Sequence, residues 1–358
     1  MANKVTGSTD ISGALTTAPQ PIKEILLIGA VSAAEGETPT VQAANEVFAI
    51  TGTNDATGYF GSNSIIPKMV RVLIQNGVES IYGMIVGSAE TKYADALTAS
   101  LDRKDVKVIM IDNMSAANIS TLKDHLTVAE SNDLFRYGVI APTAAQMATQ
   151  TALVTFANNV DSDRIFIAGN VFQQGDGEDV DPCVTAAGLA SLLMTETSDP
   201  ALPMNGVGIL GFTGVKRQML EAEMKILVTK GVTPFYLEGT TPTVYRLVTA
   251  SITNGGEGGI WQEGTTRMIA DYVLESNERL LRANYKRTKN IIRILNAIKD
   301  DIRINMEKME GLEIIENWDA STLTVVKDPQ DNFGALVDYE FDVVTPLYTI
   351  TITQHMKI

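Results

Sequence analysis

The amino-acid sequence predicts an α/β domain built on a mostly parallel sheet, followed by a smaller α+β domain, with extended arms at both ends. Short, near-continuous apolar runs such as KEILLIGAV (23–31), VKVIMID (106–112) and RIFIAGN (164–170) recur with helix-length segments between them. Strands buried on both faces by crossover helices have this pattern. After the glycine-rich SITNGGEGGIWQEG (251–264) the pattern changes to a long helical period and then to alternating strands, which marks a second domain.

Residues 1–20 are rich in Thr, Ser, Ala and Gly and lead into Pro19 and Pro21. They lack the large apolar side chains that build a core, so they read as an arm. FGSNSIIPKMVRVLIQNGVESIYGMIV (60–86) gives a helical pattern interrupted by Pro67, a stop at Gly77 and a second strand. The alternation continues through a helical segment to about Ser131, the strand RYGVIAP (136–142) and the helix QMATQTALVTFANNV (146–160). AAGLASLLMTETSDPALPMNGVGILGF (186–212) and LVTKGVTPFYLEG (227–239) together read as a small-residue helix, a Pro-rich loop and a strand at the rim of the same domain. That domain is expected to span 21–258. In the α+β domain, 259–345, one long helical pattern runs from Arg267 to about Met309 with a break near Lys299 or Asp301. It is followed by STLTVVKD (321–328) and ALVDYEFDVV (335–344) as antiparallel strands. The last segment, 346–358, is an alternating strand with apolar Tyr348, Ile350 and Ile352 on one side and Thr349, Thr351 and Thr353 on the other.

Composition excludes several function classes. A formal charge of −15 over 358 residues opposes nucleic-acid and anionic-membrane binding, because the averaged field repels phosphate. No stretch reaches the length of a membrane span, and MANKVTGSTD has no secretion-signal order, so synthesis in the cytoplasm is expected. Cys183 is the one cysteine, which rules out an intrachain disulfide or a cysteine-based zinc cluster. Of the two histidines, His125 beside Asp124 reads as a solvated helix face and His355 as a surface residue. GDGEDVDPC (175–183) gathers hard oxygen ligands, but without EF-hand spacing, and reads as a solvated acidic loop. No nucleophile elbow, zinc-protease motif or phosphate-binding loop is present. No enzyme activity, cofactor or metal is expected.

Two features do point to partners. Arg279, Arg282, Lys286, Lys289 and Arg293, with Arg287 beside them, step by three and four residues and would form one cationic stripe along a helix. Leu281, Tyr285, Ile292, Leu295 and Ile298 would form the opposite, packing face. An acidic partner suits such a stripe. At the end of the chain, Tyr348, Thr349, Ile350, Thr351, Ile352 and Thr353 make a strand without charge or proline to protect its edges. Donation to another subunit would cover them.

Together, these segments make the chain resemble a contractile tail sheath protein of contractile-tailed phages and R-type bacteriocins. The motifs are the Phe-Gly turn, helix and Asn-Gly stop of 60–86, the small-residue helix at 186, the Gly-Val-x-Pro element at 231, PLYTITITQ at the end, and IWQEGTTRMIADYVLES with Trp261, Arg267, Asp271 and Tyr272. The 186–212 segment departs from the commoner pattern. The length resembles that of a trimmed sheath without large outer domains, such as that of a diffocin-like bacteriocin. The resemblance implies a subtilisin-like topology for the α/β domain and a helical homopolymer of hexameric rings around an inner tube protein. It further implies baseplate and tail terminator proteins as partners, terminal arms exchanged between subunits, and release as part of a phage tail or bacteriocin.

Overall fold

A computed structural model describes residues 23–40, 42–88, 92–195, 199–252, 259–330 and 334–347. The described chain forms two compact units, one of residues 23–268 with 345–347 and the other Ile269–Val344.

The first unit is built on a six-stranded sheet in the order β2-β3-β1-β4-β5-β6. Its strands are β1 (Glu24–Gly29), β2 (Val47–Ile50), β3 (Ile81–Ile85), β4 (Val106–Ile111), β5 (Tyr137–Ile140) and β6 (Ile165–Ile167). All neighbours pair in parallel except β2, which runs antiparallel along the outer edge of β3. The sequence pattern finds every strand of this sheet except β2. β1 shows why its sequence reads as an unbroken apolar run: Ile25 and Leu27 face one core, and Leu26 and Ile28 face the other. Successive strand residues point to opposite faces, so a sheet covered twice needs apolar residues at every position.

Helices α1 (Thr53–Phe60), α2 (Ile66–Gln75) and α6 (Pro182–Thr195) supply the first core, and α3 (Lys92–Ala99), α4 (Ala116–Glu130), α5 (Gln150–Val160) and α7 (Glu221–Thr229) the second. Several starts are set by local chemistry. Pro67 sits in the first turn of α2, and the hydroxyls of Ser115 and Thr149 accept the backbone N–H groups of Asn118 and Ala152 at the starts of α4 and α5. Residues Cys183–Leu193 of α6 are all buried, which accounts for the small side chains of CVTAAGLASLL. Burial also pushes the Cys183 thiol well above the usual range, with Asp181 adding to the effect. Between α1 and α2, Gly61 adopts φ 86° and ψ 157°, and its backbone lies against the carbonyl of Ser32. Short strands β7 (Phe172–Gln174), β8 (Glu178–Asp179) and β9 (Gly214–Val215) form a small sheet, and β10 (Phe235–Glu238) pairs with β11 (Thr241–Val244) as a hairpin.

Helix α8 (Gly264–Asn284) begins in the first unit and continues into the second. There it packs antiparallel to α9 (Ile292–Gly311): Asn284 meets Asp301, and Asn305 meets Ser276 and Asn277. Leu295, Ile298, Ile302, Met306 and Met309 of α9 form the core of this unit with Ile314, Ile315 and Leu323. Two two-stranded sheets complete it, β12 (Ile315–Glu316) with β15 (Asp342–Val343) and β13 (Thr324–Lys327) with β14 (Ala335–Asp338).

The expected long helix is therefore broken, but not at Lys299 or Asp301. The break falls at 285–291, and Asp301 lies inside α9, where it accepts hydrogen bonds from Tyr285 Oη at 2.8 Å and Asn284 Nδ2 at 3.1 Å. Desolvation first, and then the hydrogen bond to Asp301 and its charge, push the Tyr285 phenol up to about 12. The turn uses side chains that compete with helical backbone bonds: Thr288 Oγ1 donates to the Tyr285 carbonyl and Asn290 Nδ2 to the Gly334 carbonyl. Arg287 takes the left-handed conformation at φ 63°.

Candidate assembly interface

The break in the helix changes the cationic stripe. Arg279 and Arg282 sit in the last turns of α8, Lys286 and Lys289 in the turn, and Arg293 at the start of α9. All five are exposed, so the cations remain on the surface, but they crown the tip of a helical hairpin and do not line one helix. Arg282 pairs with Glu278 one turn earlier at 3.2 Å, which offsets repulsion within α8. Lys286, Arg287, Lys289 and Arg293 make no ion pair among the described residues. Leu295 and Ile298 pack as expected, whereas Ile292, assigned by periodicity to the packing face, is 73% exposed.

The predicted exchange strand, Tyr348, Thr349, Ile350, Thr351, Ile352 and Thr353, lies outside the described residues, as do the arm 1–20 and His355. The β13–β14 pair offers a surface that could receive a strand. β13 and β14 pair only with each other among the described residues, leaving both outer edges of this hairpin unpaired. Val326 lies directly opposite Leu336 across the pair, and both side chains are about half exposed. An unprotected edge beside exposed apolar side chains is a template for a further strand.

Of the four motif residues near 261–272, Arg267 has the clearest structural task. Its guanidinium donates to Asp163 Oδ2 at 2.9 Å and to Glu130 Oε1 at 2.8 Å, and it lies over the Trp261 ring at 5.0 Å. Arg164 donates to the same Glu130 oxygen at 2.6 Å and stacks on Phe135. The first turn of α8 is thereby clamped to the ends of α4 and the loop before β6. Arg267→Ala is expected to destabilise the first unit by about 2 kcal/mol, less than for a fully buried pair because Glu130 is partly solvated and keeps Arg164. Urea unfolding of the isolated subunit measures this.

Asp124 and His125 point apart. Asp124 is exposed, but His125 is buried, contrary to the solvated reading of that helix face. Its Nε2 lies 3.3 Å from a guanidinium nitrogen of the fully buried Arg136, which also donates to Ser100 and to the Arg103 carbonyl. Desolvation and, secondarily, the Arg136 charge lower the His125 imidazole to about 4, so it is neutral and accepts from arginine. The acidic segment 175–183 is a hairpin turn: Asp179 pairs with Lys216, and Asp181 accepts the Cys183 N–H at the start of α6. Among the described residues no group of acidic, histidine and cysteine side chains could hold a metal ion, and no helix is long and apolar enough to cross a membrane.

Comparison with known proteins gives a consistent result. The phage tail sheath protein central domain matches residues 87–250, and the phage tail sheath C-terminal domain matches residues 258–357. No curated protein matches the chain. Among solved structures, the helical sheath of the anti-feeding prophage in its contracted state is similar at a TM-score of 0.72 and 12% identity, covering 99% of this chain and 100% of that one. A chain of the six-fold symmetrised anti-feeding prophage baseplate gives 0.71 and 12%, covering 95% and 94%. The sheath tail protein of Desulfitobacterium hafniense gives 0.65 and 11%, covering 91% and 98%.

Proposed function

Because this chain belongs to the phage tail sheath family, a family of structural proteins and not of enzymes, we propose that it polymerises as stacked hexameric rings around an inner tube and contracts to drive that tube through a target envelope. The observation that carries the proposal is the similarity, along nearly the whole chain, to a helical sheath in its contracted state. Similarity to a chain of a baseplate assembly supports a particle in which sheath meets baseplate proteins. The partners are then copies of this chain, the inner tube protein, and the baseplate and terminator proteins. Neither nucleic acid nor a membrane touches the sheath directly, in keeping with the net charge of −15. Assembly takes place in the bacterial cytoplasm, and release is as a phage tail or bacteriocin. The parallel order β3-β1-β4-β5-β6 supports the subtilisin-like description of the first unit, with β2 as an added antiparallel edge.

Two surfaces share the work in this reading. Residues 346–358 are donated to a neighbouring copy, and the open hairpin β13–β14 supports its role as the acceptor. The exposed cations at 279–293 face the tube. Such charge contacts are worth only about 0–1 kcal/mol each, so they bind when repeated along a polymer and still release when subunits move outward. Deletion of Pro346–Ile358 tests the arrangement. The truncated chain is expected to keep the helix and strand content of wild type by circular dichroism and to sediment as unassembled subunits. Polymers of normal length from it would refute strand donation.

A further inference from the structure

Resting on the tube-contact reading above, we infer that the tip of the α8–α9 hairpin carries an apolar anchor, Ile291 and Ile292, and that its partner is an acidic surface with an apolar recess. Ile291 and Ile292 are 42% and 73% exposed, adjacent in sequence, and bracketed by the exposed cations Lys289 and Arg293. A solvated helix start is normally occupied by Ser, Thr, Asp or Asn, whose side chain satisfies a backbone N–H. Here Ile291 holds that position, no side chain caps α9, and its first turn has no acidic residue. The chain thus leaves most of Ile292 and a large part of Ile291 in solvent beside positive charge, at a helix start that no side chain caps.

The tip is also held in shape. Tyr285 is fixed through Asp301, Thr288 through the Tyr285 carbonyl, and Asn290 through the Gly334 carbonyl, so a partner does not have to order this turn on contact. The division of labour follows from the chemistry. Lys286, Lys289 and Arg293 attract an acidic surface over a range set by salt, whereas an isoleucine pair entering a recess excludes water and holds independently of salt. Complementary charge selects the acidic surface, and the anchor fixes the place on it where the tip docks.

The full-length chain co-expressed with the inner tube protein of its particle, incubated over a series of salt concentrations and counted for extended sheaths by electron microscopy, tests this. Ile292→Arg adds a cation while removing the anchor. The inference expects about tenfold fewer extended sheaths than wild type at every salt concentration, with Ile292→Leu restoring them. Lys286→Gln with Lys289→Gln should instead flatten the dependence on salt. Because Ile292 is exposed, its variants should melt like wild type. If Ile292→Arg forms as many extended sheaths as wild type or more, the anchor is refuted and the contact is electrostatic alone, with the lysine variant still upholding the tube contact. If neither variant has an effect, the tube contact itself is refuted. Flotation of the wild-type chain with vesicles of phosphatidylserine and phosphatidylcholine is expected to be absent, and its presence would overturn the choice of a protein partner.

Discussion

Gly61→Ala is expected to destabilise the first unit by about 4 kcal/mol, a large fraction of a typical domain's stability. Two costs add. At φ 86° and ψ 157° the residue occupies a region open in practice only to glycine. A Cβ built there would also lie 2.3 Å from the Ser32 carbonyl oxygen and 2.7 Å from the Ala33 Cα. Those are backbone atoms, held in place because Ser32 N–H donates to the Phe60 carbonyl at 2.7 Å and the Ser32 carbonyl accepts from Asn63 N–H at 3.0 Å. Relief would have to separate the chain after β1 from the start of α2. Thermal unfolding measures the effect, and Gly87→Ala, at a site where a Cβ meets nothing within 4 Å, serves as the control. A melting temperature for Gly61→Ala within a degree or so of the control would show that this turn carries no strain.

Acid is expected to weaken the same unit through His125. Its folded value of about 4 lies below the ordinary 6.5, so between these the unfolded chain binds the proton and the folded chain does not. The contribution is therefore fully present above about pH 6.5 and is lost as pH falls through 4, amounting to roughly 3 kcal/mol. Protonation would set two cations side by side in the core, because Arg136 has no carboxylate partner among the described residues. His125→Gln keeps an acceptor for Arg136 and removes the titration. Urea unfolding at pH 7 and pH 4.5 should show a larger loss for wild type than for His125→Gln. Equal losses in the two proteins would exclude His125 as the cause.

What could be read from the sequence follows from the range of the interactions involved. β1, β4 and β6 are buried on both faces, so their apolar runs are visible without knowledge of their neighbours. β2 is a four-residue antiparallel edge strand with one buried residue, and so short a segment leaves no such pattern. The helical period from 267 to 309 continues across the hairpin turn because the turn contains neither glycine nor proline. Its cause lies in Asp301 and Gly334, outside any local window. For the same reason the cations are legible as residues but not in their arrangement, and the exposure of Ile292 is hidden from a continuous helical period. Trp261 and Arg267 stood out by resemblance, yet Arg267 finds its acidic partners at Asp163 and Glu130, far back in the chain. His125 shows the limit of reading polarity from neighbours: Asp124 beside it is solvated, while its own ring turns inward to Arg136.

The seclusion of Cys183 within α6 has a practical side. It is the one sulfhydryl in the chain, buried among apolar neighbours and held protonated, so the surface presents no group for alkylation or disulfide exchange. Lys289→Cys would place the one exposed thiol of the subunit at the hairpin tip. A maleimide dye attached there would report on the hairpin tip of free subunits without background from Cys183. The native chain, in turn, offers no exposed thiol through which one subunit could be tied to another.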